Sequence, residues 1–178
     1  MYKKILVAFA SGSGSTAEVA RAIGDVLAES GVPVDVTAVQ TVNSVADYSA
    51  IVLGSSIRLG RWLPEAVEFL ERFKDEMQDK PVAYFTTCLT MVNDTEENRR
   101  TVLAYLEPVR QLAPAIEPVG LGLFAGSLTP EQHTIRAHIG LGPFGDYRDW
   151  AAIKAWAEAI RPAILAGEGE RPYNPHKV

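Results

Sequence analysis

The chain has 178 residues, 47% hydrophobic and 22% charged, with a mean hydropathy near zero and a formal net charge of −5. That length suits one domain with a single core, and the composition excludes fibrous and disordered classes. The acidic balance argues against nucleic acid as a partner, because binding a phosphate backbone needs a cationic face.

The apolar runs, such as residues 5–10, are too short to cross a bilayer, and the first residues lack the long apolar core of a signal peptide. No transmembrane segment and a cytoplasmic location are therefore expected. The one cysteine, Cys88, cannot form an internal disulfide, and His133, His138 and His176 show no metal-ligand spacing, so no metal is expected.

Residues 3–9 form a nearly continuous apolar run that stops at Ser11-Gly12-Ser13-Gly14, the pattern of a strand buried on both faces. From residue 16 to 29, Val19, Ala20, Ile23, Val26 and Leu27 fall at helical spacing, and Gly31 ends the helix. Strands follow at 33–39 and 50–53. A helix then carries Leu63, Val67, Leu70, Phe73 and Met77 on one face. Residues 82–86 read as the fourth strand. Asp94 with Glu97 resembles a capping pair for a helix carrying Val102, Leu103, Leu106 and Val109. Residues 116–124 read as the fifth strand.

Thr129-Pro130-Glu131-Gln132 suggests a short extra helix, which leads into the connector Gly140-Leu141-Gly142-Pro143. The last helix is lined by Ile153, Trp156, Ala157, Ile160 and Ile164, with Asp146 or Asp149 as its cap; Trp150 and Trp156 read as its core aromatics. Residues 166–178 have the composition of a flexible C-terminal tail, leaving one domain over residues 1–165. Strands alternating with helices of this length imply a parallel sheet covered on both faces.

In such a sheet, ligands bind beyond the carboxyl ends of the strands, where the winding reverses. The first of those loops, Ser11-Gly12-Ser13-Gly14-Ser15-Thr16, sets four hydroxyls and two glycines before a helix start. Free backbone N–H groups and the positive helix end there suit a phosphate monoester. The same residues also suit a solvated turn with a capping serine. No Gly-Lys-Ser/Thr is present, and Ala17 stands where the third glycine of a dinucleotide loop would fall.

Ser11-x-Ser13-Gly14-x-Thr16 after the first strand resembles the phosphate loop of flavodoxins, and the five-strand alternation resembles their arrangement. Gly54-Ser55-Ser56-Ile57-Arg58-Leu59-Gly60 and Gly145-Asp146-Tyr147-Arg148-Asp149-Trp150 are similar to the menaquinone-dependent protoporphyrinogen oxidase branch of that family. The stretch 133–144 departs from those relatives in being short and mixed in polarity, whereas theirs is longer and more apolar.

The resemblance implies an α/β flavodoxin-like three-layer α/β/α sandwich with a five-stranded parallel sheet of order 2-1-3-4-5. It also implies FMN as cofactor, with its phosphate in the loop from Ser11 to Thr16. The isoalloxazine ring would lie between Ser55, Ser56, Ile57, Arg58 and Trp62 on one side and Thr87, Cys88, Leu89, Thr90 and Asn93 on the other. Trp62 would serve as an aromatic wall or as a core residue of its helix. Arg58 would neutralise a reduced flavin, bind a substrate carboxylate, or sit in a surface salt bridge. Cys88 would touch the flavin or simply be buried. Asn93 and Asp94 are candidates for ribityl hydroxyls, and Ser127 for the ring edge.

The implied function is FMN-dependent oxidoreduction, with protoporphyrinogen or quinone-linked oxidation as one form. The alternative is a non-enzymatic flavodoxin carrier between proteins. Either needs a redox donor and acceptor, whether small molecule, quinone or protein, and homodimer formation is open to an isolated domain of this kind. A receiver domain would need acidic residues where Ala10-Ser11 and Gly54-Ser55 stand, and a serine hydrolase would need a G-x-S-x-G elbow, which does not occur.

Overall fold

The computed structural model describes residues 4–129 and 145–166. In chain order the elements are β1 (Lys4–Ala10), α1 (Ser15–Ala28), β2 (Val34–Ala38), β3 (Tyr48–Arg58), β4 (Arg61–Trp62), α2 (Pro64–Met77), β5 (Val82–Cys88), α3 (Glu96–Leu112), β6 (Leu121–Ala125), β7 (Ser127–Leu128), β8 (Gly145–Asp146) and α4 (Trp150–Leu165). Five strands pair in parallel in the order β2-β1-β3-β5-β6, which is the expected 2-1-3-4-5 when only the parallel strands are counted.

The two-residue period of a strand divides each apolar run between two cores. Ile5 and Val7 face Val19, Ile23 and Leu27 of α1 and Ile153, Ala157 and Ile160 of α4. Leu6 and Ala8 face the opposite way, toward Leu70 and Phe73 of α2 and Leu106 of α3. The layers are therefore helix, sheet, helix. Each fully buried Leu, Ile or Phe contributes roughly 1.5–3 kcal/mol relative to exposure. Gly54 is the tightest point of the sheet, because a Cβ there would come within 2.0 Å of the Phe85 ring.

Several expectations change in detail. β3 runs well past residue 53 and turns back through Leu59-Gly60 into β4, which pairs antiparallel with it. Both turn residues have positive φ, 51° and 72°, as a two-residue hairpin requires. β6 begins at Leu121 rather than at residue 116; Ile116 is buried in a turn, Pro118 has no N–H to give, and pairing starts with Val119 N donating to Val82 O.

Leu103 is 40% exposed because it lies a helical step away from the inward stripe of Val102, Leu106 and Val109. The cap of α3 is Thr95, whose hydroxyl accepts from Asn98 N at 3.1 Å, while Asp94 instead pairs with Arg99. Asp149 caps α4 through Ala152 N. Trp150 lies on the surface at 36% exposure rather than in the core, since it is the first residue of α4 and points away from the sheet; Trp156 does pack against Phe85 and Phe124.

Residues 130–132 of the short helix expected to start at Thr129, the connector at 140–143 and the tail beyond Ala166 lie outside the described residues. Among the described residues no helix is long and apolar enough to cross a membrane.

Gly54→Ala should destabilise the fold by about 3 kcal/mol through overpacking against Phe85, read as a lowered urea midpoint. Leu59→Asn should do the opposite and raise the midpoint by about 1 kcal/mol in stability, because Asn accepts positive φ at less strain.

Candidate functional site

The chain leaves β1 toward β2 on one side and β3 on the other, so a crevice opens at the carboxyl ends of these strands. Three loops meet there. The first follows β1. Gly12, Ser13 and Gly14 are exposed, and Gly14, at φ 93°, occupies the cap position of α1 with no side chain capping the helix. The first N–H groups of α1 thus stay available to an anion. Ser11 braces the loop by accepting from Gly14 N at 2.9 Å, which leaves its own hydroxyl proton free to donate.

Ser15 and Thr16, by contrast, are buried. Thr16 points inward, and its hydroxyl shares a 2.7 Å hydrogen bond with that of Thr87 at the end of β5. This bond ties the loop to the sheet.

The second loop is the hairpin between β3 and β4. Ser55 is fully buried; its hydroxyl donates to Ser56 O and accepts from Leu63 N, so it holds the hairpin base rather than facing the crevice. Ser56, Ile57 and Arg58 do line the crevice. A Cβ on Gly12 would fall 3.0 Å from Nη2 of Arg58, so the guanidinium lies across the backbone of the first loop. Arg58 is exposed and makes no ion pair among the described residues.

Trp62 is not part of that wall. It is 4% exposed and stands edge-on to Tyr84, 5.6 Å between ring centroids, because the antiparallel pairing of β4 turns it inward. Of the two roles open to it, the core role is the one it occupies.

The third loop follows β5. Thr87, Cys88 and Leu89 line the crevice together with Gly126 and Ser127 from the end of β6. Cys88 is 7% exposed, and burial pushes its thiol pKa up, partly offset by hydrogen bonding from Met91 and Thr90. Both the burial and the raised pKa suit a packed thiol. Thr90 is engaged with that sulfur. Asn93 gives its carbonyl to Thr95 N and to the Asn98 amide, and its side chain is not among the crevice-lining groups.

Sequence reasoning passed over two features. β7 and β8 form a two-stranded ribbon beside the first loop, and each is only two residues long. Arg148 reaches from that ribbon to Ser15 and Glu18 across more than a hundred residues. A second cavity, about 670 Å³, lies between the ribbon and the start of α1 and shares Ser13 and Ser15 with the crevice.

Thr16→Val should leave the buried Thr87 hydroxyl unpartnered and cost about 1–2 kcal/mol of stability, measured by thermal unfolding of the ligand-free protein.

Comparison with known proteins bears on the fold and the family. A 26% identical relative from Leishmania major, described as a protoporphyrinogen IX dehydrogenase [quinone], aligns over 95% of this chain and 82% of its own length. Oxidised flavodoxin 2 from Bacillus cereus superposes with a TM-score of 0.57 at 24% identity, covering 90% of this chain and 99% of that one. Rubredoxin oxygen:oxidoreductase from Desulfovibrio gigas superposes at 0.54 and 16% identity; it matches 95% of this chain, which spans only 38% of that protein's length. The model of the flavodoxin domain family matches residues 6–137, nearly three quarters of the chain, and the protein accordingly belongs to that family of flavin-based electron-transfer domains.

Proposed function

We propose that the chain binds FMN noncovalently as an oxidoreductase, passing electrons from a small-molecule donor to a quinone-like acceptor. The observation that carries this reading is the union of two features through shared residues. An uncapped, hydroxyl-rich helix start runs, through Ser13 and Ser15, into a crevice whose lining among the described residues holds a cation and no carboxylate.

The residues suit the cofactor. The exposed N–H groups around Gly12–Ser13–Gly14 and the hydroxyl of Ser13 would hold the phosphate without a formal countercharge in the loop itself. Arg58, lying over Gly12, would add positive charge between phosphate and ring. Leu89 and Ile57 would give the ring apolar contact. FMN, when bound, supplies reversible one- and two-electron transfer. The crevice has about 50 Å³ of free volume, too little to enclose a tricyclic ring. The ring would therefore rest at the mouth, with an edge open to a second reactant.

The donor class is supported by the Leishmania relative, whose description names protoporphyrinogen IX and a quinone. A cationic rim favours an anionic small molecule over the flat acidic rim expected of a protein-to-protein carrier. Arg58 is the residue assigned to that contact.

Titration of the ligand-free protein with FMN, followed by quenching of flavin fluorescence, should give saturable one-to-one binding, weakened about tenfold by Ser13→Ala. Reoxidation of the reduced holoprotein by a soluble short-chain quinone, slowed in Arg58→Gln, would support the enzyme reading. Electron delivery to protein acceptors alone would assign the carrier role instead, and absence of FMN binding would remove both.

A further inference from the structure

The motif Gly145-Asp146-Tyr147-Arg148-Asp149-Trp150 is not used by the site as described so far. Its Arg148 side chain is only 8% exposed. Nε and Nη2 fork onto the two oxygens of Asp146 at 2.7 and 2.6 Å, and the guanidinium stacks over Trp150, 4.6 Å from the ring centroid. This leaves Nη1, which donates to Ser15 O at 3.2 Å and to the Glu18 carboxylate.

Both of those acceptors belong to the first turn of α1. Ser15 is the first residue of the helix, immediately after the exposed loop, and Glu18 is the acidic residue of that turn. A carboxylate near a helix N-terminus stabilises the helix but opposes a second anion arriving at the same place. The loop has no Lys or Arg of its own to offset it. Arg148 brings a fixed cation to the end of the loop where α1 begins. Its orientation is set by the Asp146 fork and the Trp150 ring, so little freedom is lost when it engages α1.

We propose that Arg148 is a positioning residue that makes the loop selective for a phosphate monoester. It fixes Ser15 through its carbonyl and masks Glu18, so that the chain tells a phosphorylated flavin from an unphosphorylated one. This rests on the FMN reading above, and the experiment separates the two.

Ligand-free wild type, Arg148→Met, Arg148→Lys, Glu18→Gln and the double variant Arg148→Met/Glu18→Gln are each titrated with FMN and, separately, with riboflavin, which lacks only the phosphate. Arg148→Met should weaken FMN about tenfold and riboflavin less than about twofold, because the uncovered charge acts on the phosphate alone. Adding Glu18→Gln should recover about threefold of the FMN loss. Arg148→Lys should fall between wild type and Arg148→Met, since it keeps the charge and loses the fork.

Glu18→Gln alone, a change at a half-exposed position that does not disturb the Asp146 fork, should tighten FMN binding, and the gain should shrink in 0.5 M salt. Equal loss of both flavins in Arg148→Met would make the residue merely structural and overturn the proposal. So would unchanged FMN affinity in Arg148→Met, or weaker FMN binding in Glu18→Gln. Failure of wild type to bind FMN would instead overturn the functional reading on which the proposal stands.

Discussion

A parallel sheet buried on both faces has no room for polar side chains along its central strands, and the organisation of the molecule follows from that constraint. β1, β3 and β5 bury Ile5, Leu6, Val7, Ile51, Val52, Leu53, Tyr84 and Phe85 almost completely. The only polar side chains buried in the described core gather at the carboxyl ends of these strands or at the start of α1: Ser15, Thr16, Ser55, Thr86 and Thr87. The same packing that excludes chemistry from the middle of the sheet concentrates it at one edge.

Four of those five buried hydroxyls are paired, as burial demands. Thr16 meets Thr87, Thr86 donates to Ser55 O, and Ser55 receives Leu63 N. The consequence is a division of labour among residues that look alike in sequence. Inward hydroxyls lock the three loops to the ends of β3 and β5, while Ser13 and the glycines beside it stay exposed for a ligand. Two arginines lie against the loop after β1 and the helix start that follows it. Arg58 lies over Gly12 with no ion pair among the described residues, and Arg148 is fully committed to Asp146, Ser15 and Glu18.

Much of the fold was legible because burial periodicity is a local property. The alternation of apolar strands with amphipathic helices pointed to a parallel sheet covered on both faces, the family resemblance implied the strand order, and the stop of β1 at Ser11 marked a loop on the ligand side of the sheet. Where the reading slipped, a polar group had more than one local use. Asp94 and Thr95 both suit a cap, and only the extended backbone of Thr95, with its hydroxyl within reach of Asn98 N, decides between them. Leu103 and Trp150 are apolar residues at helical positions whose facing depends on how the helix is rotated against the sheet.

The sequence by itself determined the class of fold and the family of the domain, because each rests on patterns of residues close together in the chain. Tertiary structure alone decided that Trp62 belongs to the core, that Thr16 faces Thr87, that Arg58 covers Gly12, and that Arg148 reaches Glu18. Each of those facts is a contact between segments 30 to 130 residues apart or the inward turn of a short paired strand. Such contacts are set by strand order and helix docking, and no local pattern of hydrophobicity or turn chemistry encodes them.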